Sequence, residues 1–146
     1  MRKTIITFII EKLAKLVGQD IPPFSTVGAI VINKGKLLMV NLSYKKGYNL
    51  PGGLVAPGET LEQGLARELK EETNLDAESM QYFSSATESK GNYYTLVSGF
   101  VVKVKDIDKL RGSDEGKLEW MNSKDAYNRC VYSDSKELIR TYFNLK

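Results

Sequence analysis

Three glutamates, Glu68, Glu71 and Glu72, stand close together near the middle of this chain of 146 residues. Their spacing of i, i+3 and i+4 places the three side chains on one face of a helix, within reach of a common point. Carboxylate oxygens suit a hard cation such as Mg²⁺ or Mn²⁺ better than zinc or copper. The spacing alone fits either such a metal site or a solvated acidic face, which is the commoner role of a charge run.

Histidine is absent from the sequence, and Cys130 is the only cysteine. The chain therefore has no imidazole to serve as a base or as a metal ligand. A Cys–His nucleophile and an intrachain disulfide are both excluded. Acid–base chemistry must fall to carboxylates, lysine, tyrosine or bound water.

Charge is unevenly distributed along a chain whose formal net charge is +3. Residues 1–50 carry eight Lys or Arg against two Asp or Glu, whereas residues 51–75 carry two against five. An acidic segment in a basic chain suits an anionic substrate that meets a metal ion. Because no dense basic tract with interleaved aromatic residues appears, we expect no nucleic-acid partner.

A helix must bring the glutamates together, and the neighbouring residues predict one. Thr60 and Gln63 have the spacing of a capping box, so the helix should begin near Leu61. Asn74 follows the last turn, where a residue that tolerates the left-handed conformation is needed. The apolar stripe that would hold this helix on a core consists of Leu61, Leu65 and Leu69.

Runs rich in β-branched and aromatic residues predict strands before and after this helix. The expected strands are Thr26–Asn33, Lys36–Asn41, Met80–Thr87, Tyr93–Lys103 and Leu118–Met121. The first two should form a hairpin that turns at Lys34-Gly35. Two helices, each with a serine near its start, are expected at Ser123–Arg129 and Ser133–Asn144.

An apolar stripe at helical spacing predicts an amphipathic helix within residues 1–20, ahead of a main domain over residues 21–146. Glu11 and Lys12 break the apolar run, which is also too short to span a bilayer, so we expect a cytoplasmic protein without membrane attachment. The helix should dock on the domain or on a second subunit, which would make the protein a homodimer. The stripe consists of Ile6, Ile9, Ile10, Leu13, Leu16 and Val17.

The segment from Gly53 to Leu75 resembles the Nudix box, G-x5-E-x7-R-E-U-x-E-E-x-G-U, where U is a bulky aliphatic residue. Six charged or glycine identities at fixed spacing would coincide by chance about once in 10⁷, given average residue usage. The second glycine of the pattern is replaced by Asn74. Since asparagine tolerates a positive φ, we expect a small cost in stability and no loss of chemistry. The matching residues are Gly53, Glu59, Arg67, Glu68, Leu69, Glu71, Glu72 and Leu75.

The resemblance implies an α/β fold, with an α/β/α sandwich around a mixed sheet, to which the N-terminal helix is an addition. It also implies a hydrolase that cleaves a nucleoside diphosphate linked to another moiety, by attack of water on phosphorus with Mg²⁺ or Mn²⁺ bound. Carried over to this chain, the metal ligands are Glu68, Glu71, Glu72 and the Gly52 carbonyl, and Glu68 is also a candidate base. Glu59 and Arg67 should pair and brace the loop against the helix.

Many members of the family use a further glutamate from a late loop, and Glu115 is our candidate, with Glu119 as the alternative. Lys45 and Lys46 are candidates for contacts to substrate phosphate, or belong to a solvated turn. Tyr93 lies where dinucleoside polyphosphate hydrolases of the family carry a tyrosine, or is a plain hairpin residue. Residues 85–95 lack the proline that marks ADP-ribose hydrolases. The alternative function is a non-catalytic domain that senses a nucleotide.

Overall fold

The computed structural model describes residues 2–17, 22–91, 93–114 and 116–146. Its helices are α1 (Arg2–Val17), α2 (Leu61–Thr73), α3 (Ser123–Arg129) and α4 (Ser133–Phe143). Its strands are β1 (Phe24–Ile30), β2 (Ile32–Asn33), β3 (Lys36–Leu42), β4 (Tyr48–Asn49), β5 (Gly52–Leu54), β6 (Ala77–Ser89), β7 (Tyr94–Val104) and β8 (Gly116–Met121). Glu115 and the expected boundary between residues 20 and 21 lie outside the described residues.

Two sheets form the centre of the fold. The first is mixed and has the order β5-β1-β7-β6, with β1 parallel to β7 and the other pairs antiparallel. In the second sheet β3 pairs antiparallel with β2, β4 and β8. The hairpin predicted at Lys34-Gly35 is present between β2 and β3. The predicted strand Thr26–Asn33 is divided at Val31, because its first part pairs in the mixed sheet and its last part in the second sheet.

Helices cover both faces of the mixed sheet, which confirms the predicted α/β/α arrangement. Leu65 and Leu69 of α2 are fully buried in a core that includes Val27 of β1. Leu138 of α4 is buried in a second core with Ile30 of the same strand. Successive side chains of a strand point to opposite faces, so β1 contributes to both cores. Each fully buried leucine contributes roughly 1.5–3 kcal/mol relative to an exposed one, which holds α2 and α4 firmly on the sheet.

The ends of α2 match the capping residues read from the sequence. The Thr60 hydroxyl accepts a hydrogen bond from the Gln63 amide at 3.2 Å, and the Gln63 side chain accepts one from the Thr60 amide at 2.9 Å. At the other end Asn74 adopts the left-handed conformation, with φ 60° and ψ 12°. Its side-chain amide also donates to the carbonyl of Lys109 at 3.0 Å. This bond is a gain that a glycine at the position could not provide.

Asn74→Ala should lower the free energy of unfolding by about 1–2 kcal/mol, because alanine carries the full left-handed penalty. Asn74→Gly should stay close to wild type, since glycine adopts a positive φ without strain and loses only one exposed hydrogen bond. Urea unfolding of the two variants measures the difference. If the glycine variant were as unstable as the alanine variant, the hydrogen bond to Lys109, and not the backbone conformation, would account for the stability that Asn74 provides.

Helix α1 carries several exposed apolar side chains. Leu16 is 84% exposed, and Ile9 and Leu13 are about half exposed. Ile10, by contrast, lines a cavity of the main domain together with Phe24. Within the described part of the chain, no helix combines the length and the hydropathy that a membrane crossing needs.

The docking of α1 on a second subunit stays a prediction. Removal of residues 1–18 should convert a homodimer into a monomer, because the exposed apolar face of α1 would be lost. Light scattering coupled to size-exclusion chromatography measures the mass of both forms. The same oligomeric state in both would reject the dimer that we expect through α1.

Candidate functional site

Helix α2 places two of the three glutamates against strand β5. Glu68 and Glu72 are each 4% exposed. The Gly52 amide donates to Glu72 Oε2 at 2.8 Å. A Cβ built on Gly53 would lie 2.6 Å from the Glu68 carboxyl carbon, so only glycine lets this carboxylate approach the strand so closely. The absence of a side chain at Gly53 therefore creates the space in which the Glu68 carboxylate lies.

Arg67 holds the loop before α2 against the helix. Its guanidinium donates to Glu59 Oε1 at 2.7 Å and to Glu59 Oε2 at 2.9 Å. It also donates to Glu68 Oε1 and to the Leu54 carbonyl, both at 2.9 Å. The hydrogen bonds from Arg67, and then the one from the Ala56 amide, lower the pKa of Glu59 to about 2. Glu59 therefore stays ionised at neutral and mildly acidic pH. Its bidentate ion pair with Arg67 fixes the geometry of the loop.

The charges around α2 fit a hard divalent cation. The guanidinium of Arg67 contacts the carboxylates of Glu59, Glu68 and Glu71, whereas Glu72 accepts from the Gly52 amide. These four carboxylates and one guanidinium together carry a formal charge of −3. Burying carboxylates costs several kcal/mol per ion unless cations and donors compensate. Among the described residues, no three carboxylates lie close enough together to hold a metal ion in the arrangement seen here. The Glu71 side chain is 49% exposed, however, so it can rotate toward Glu68 without repacking the core.

A cavity of about 930 Å³ opens beside the carboxylates. It reaches from α2 past the edge strand β5 and across β1 to β7 and the start of α4. Glu68, Glu71 and Glu72 line one end of it. The cavity gives these side chains access to a ligand much larger than a metal ion alone.

Two lysines line the same cavity at the ring of Tyr132. The ammonium groups of Lys45 and Lys90 lie 4.5 and 4.2 Å from the centre of that ring. Lys90 also forms an ion pair with Glu88. Tyr93 is a further lining residue, whereas Lys46 is not among the described residues that line the cavity. Of the predicted substrate contacts, the fold therefore brings Lys45 and Tyr93 to the cavity that the glutamates share.

Glu119, the alternative loop glutamate, lies in a different network. Its carboxylate accepts a hydrogen bond from the Tyr48 hydroxyl and pairs with Arg129 at 3.2 Å. It is not among the described residues that line the cavity. The guanidinium of Arg129 stacks over the Tyr48 ring at 4.3 Å, so Glu119 belongs to a cluster that ties β8 to β4 and α3.

Several residues that line the cavity were not predicted from the sequence: Lys90, Thr95, Tyr132 and Asp134. The hydroxyl of Thr95 donates to Asp134 Oδ2 at 3.1 Å across 39 residues of sequence. Asp134 reads in sequence as an ordinary acid in the first turn of a helix. No local spacing connects it with Thr95, so sequence carried no signal for this pair.

The sequence of this chain is similar to known proteins of one family. The family model of the NUDIX domain matches residues 22–142. An ADP-ribose pyrophosphatase of Methanocaldococcus jannaschii is 28% identical over 131 residues, which cover 85% of this chain and 75% of that protein. Nudix hydrolase 5 of Arabidopsis thaliana is 42% identical over 131 residues, covering 82% of this chain. The chain spans only 43% of that plant relative.

A solved structure shows the same fold. The MutT protein from Methanosarcina mazei Go1 superposes with a TM-score of 0.72 at 21% identity, covering 87% of this chain and 99% of that one. At this identity the likeness concerns the fold alone. The arrangement of helices around the mixed sheet is therefore shared with a protein whose sequence has diverged widely.

Proposed function

Because the chain belongs to the Nudix hydrolase family, whose members act on phosphoric anhydrides, we propose that it is a pyrophosphohydrolase dependent on Mg²⁺ or Mn²⁺. Its substrate is a nucleoside diphosphate linked to another moiety, such as a nucleoside triphosphate or a dinucleoside polyphosphate. The strongest support for this proposal is the position of two carboxylates. Two buried carboxylates, Glu68 and Glu72, line the end of a cavity large enough for a nucleotide.

The residues that would hold the metal are Glu68, Glu71 and Glu72, with the Gly52 carbonyl. When bound, the metal neutralises anhydride charge, acts as a Lewis acid and lowers the pKa of water. In this proposal Glu68 would orient the attacking water and accept its proton. The hydrogen bond that Arg67 donates to its carboxylate at 2.9 Å supports the orienting role, because it fixes the direction of the carboxylate. The ammonium groups of Lys45 and Lys90 balance charge on phosphate groups farther along the cavity.

A panel of anhydrides tests the proposal. Phosphate or nucleotide release should be measured for nucleoside triphosphates, dinucleoside polyphosphates, ADP-ribose, nucleotide sugars and NADH, with Mg²⁺ and with Mn²⁺. ADP-ribose belongs in the panel because an archaeal relative bears the name of ADP-ribose pyrophosphatase, although the missing proline argues against it. Turnover of at least one substrate, abolished by chelation of the metal, is the expected result.

The second candidate function is a domain that senses a nucleotide without cleaving it. The complete set of Glu68, Glu71 and Glu72 favours the enzyme, because a pure sensor does not need all three carboxylates. Tight binding of one nucleotide without turnover of any substrate in the panel would reverse this preference.

Glu115→Gln should lower turnover, because we propose that Glu115 supplies a further carboxylate to the site. Glu119→Gln should leave turnover close to wild type, since the Glu119 carboxylate is engaged by Tyr48 and Arg129. Steady-state kinetics at saturating Mg²⁺ compares the two variants. The opposite ranking would assign the role to Glu119.

A further inference from the structure

Helix α1 takes part in the wall of the cavity, although it precedes the domain that contains the glutamates. Ile10 lines the cavity and is half-buried, whereas Ile9, its neighbour in the helix, is 50% exposed. Successive residues of a helix point about 100° apart, so the two isoleucines point in different directions. They therefore distinguish an inner face of α1 from an outer face.

Further exposed apolar side chains of α1 lie on the outer face with Ile9. Ile5 and Leu16 are 54% and 84% exposed. They stand at i−4 and i+7 relative to Ile9, which is the spacing of one helical face. None of these three is among the described residues that line the cavity. The contact of Ile10 with the cavity is therefore made on a different face of the helix.

Ile10 shares the cavity with residues from three other segments. Phe24 begins β1, Tyr44 and Lys45 follow β3, and Lys90 follows β6. All four side chains are partly or largely exposed, so they belong to the rim of the cavity and not to its floor. A cavity whose rim includes a separate helix is covered or open according to the position of that helix.

Charge and burial both favour contact between α1 and a bound nucleotide. The helix carries four basic residues and one acidic residue, Glu11, so its net positive charge attracts an anionic ligand. Ile10 is only half-buried beside a cavity of about 930 Å³. A ligand that fills this space covers more of the apolar surface of Ile10, and the burial stabilises both the ligand and the docked helix.

We propose that α1 covers the substrate cavity and that Ile10 contacts the bound nucleotide. The substrate site then includes a residue outside the family domain, which matches residues 22–142. This inference rests on the proposed function and adds a binding residue to it, and Ile10 takes no part in the chemistry at phosphorus. Because the two effects are thermodynamically linked, Ile10 strengthens the binding of the ligand and the ligand holds α1 against the domain.

A thiol introduced at position 10 reports whether a ligand covers it. Cys130, the only natural cysteine, is 3% exposed, and burial raises its pKa to about 11, so it reacts slowly with thiol reagents. The Ile10→Cys variant is modified by iodoacetamide with Mg²⁺, in the presence and absence of α,β-methylene-ADP or α,β-methylene-GDP. Its rate should fall about tenfold at a nucleotide concentration about ten times the dissociation constant, because binding suppresses the uncovered form.

Ile9→Cys is the matched control, because Ile9 lies in the same turn of α1 and on its outer face. Its thiol should react at the same rate with and without nucleotide, which a general effect of the ligand on the fold or on the reagent would not allow. Equal protection of both variants, or no protection of the Ile10→Cys variant by either nucleotide, would overturn the proposal.

Kinetics provide a second measurement that separates binding from chemistry. Ile10→Ser should raise KM on the order of tenfold and keep kcat close to wild type, the scale expected for a lost apolar contact. Ile9→Ser should change neither constant, and an unchanged KM in Ile10→Ser would remove Ile10 from the site. Protection of the Ile10→Cys variant without hydrolysis of any anhydride would reject only the proposed enzyme. Hydrolysis without that protection would reject only the covering role of α1.

Discussion

Glu71→Gln and Glu72→Gln should each lower turnover of the preferred anhydride by more than about tenfold at saturating Mg²⁺, because each removes the charge of a proposed metal ligand. Glutamine at position 72 keeps the size of the side chain and can still accept from the Gly52 amide, which now donates at 2.8 Å. The loss would therefore reflect charge and not packing. Steady-state kinetics over a range of Mg²⁺ concentrations measures both the loss of turnover and the weaker metal dependence.

Glu62→Gln is the matched control for both variants. Glu62 lies in the first turn of the same helix and is exposed, and it is not among the described residues that line the cavity. Its variant should turn over substrate at the wild-type rate. If the Glu71 and Glu72 variants did the same at saturating Mg²⁺, neither residue could be a metal ligand that the reaction needs.

Gly53→Ala should lower turnover on the order of 10²-fold, the scale expected when a reacting group is misplaced by about 1 Å. The new Cβ would lie 2.6 Å from the Glu68 carboxyl carbon, so the carboxylate must move away from β5. The atoms that must move are the end of a side chain, so the fold should survive. Thermal unfolding and kcat, measured on the same preparation, separate the two effects.

Alanine variants of Gly52 and Gly58 are the controls for Gly53→Ala, because each should lower stability for a reason unrelated to Glu68. A Cβ at Gly52 would lie 2.0 Å from the Val27 carbonyl oxygen, so Gly52→Ala should disrupt the strand pair and lower stability. Gly58 has φ +84° with no atom within 4 Å of a built Cβ, so Gly58→Ala should cost stability through strain and keep its turnover. A Gly53→Ala variant with wild-type turnover would mean that the position of Glu68 against β5 does not matter for the reaction.

The features predicted most accurately from the sequence are those that depend on near neighbours along the chain. The start of α2 follows from Thr60 and Gln63, and its end follows from Asn74, because helix caps are formed within a few residues. Family membership was predicted from the same segment and is confirmed by the family match over residues 22–142. The short strands β4 and β5 were not predicted, since runs of two or three residues carry no periodicity.

The common helical face of the three carboxylates, and their register with Gly53, Glu59 and Arg67, follow from residue spacing alone. A helix repeats every 3.6 residues whatever its surroundings, so that spacing needs no tertiary information. The surroundings of the carboxylates, in contrast, depend on contacts between distant parts of the chain. The packing of α4 on the mixed sheet brings Asp134 beside Thr95, and the segments after β3 and β6 bring Lys45 and Lys90 to the ring of Tyr132. Such contacts join residues far apart in the chain, and they arise from the burial of apolar side chains along both faces of the sheet.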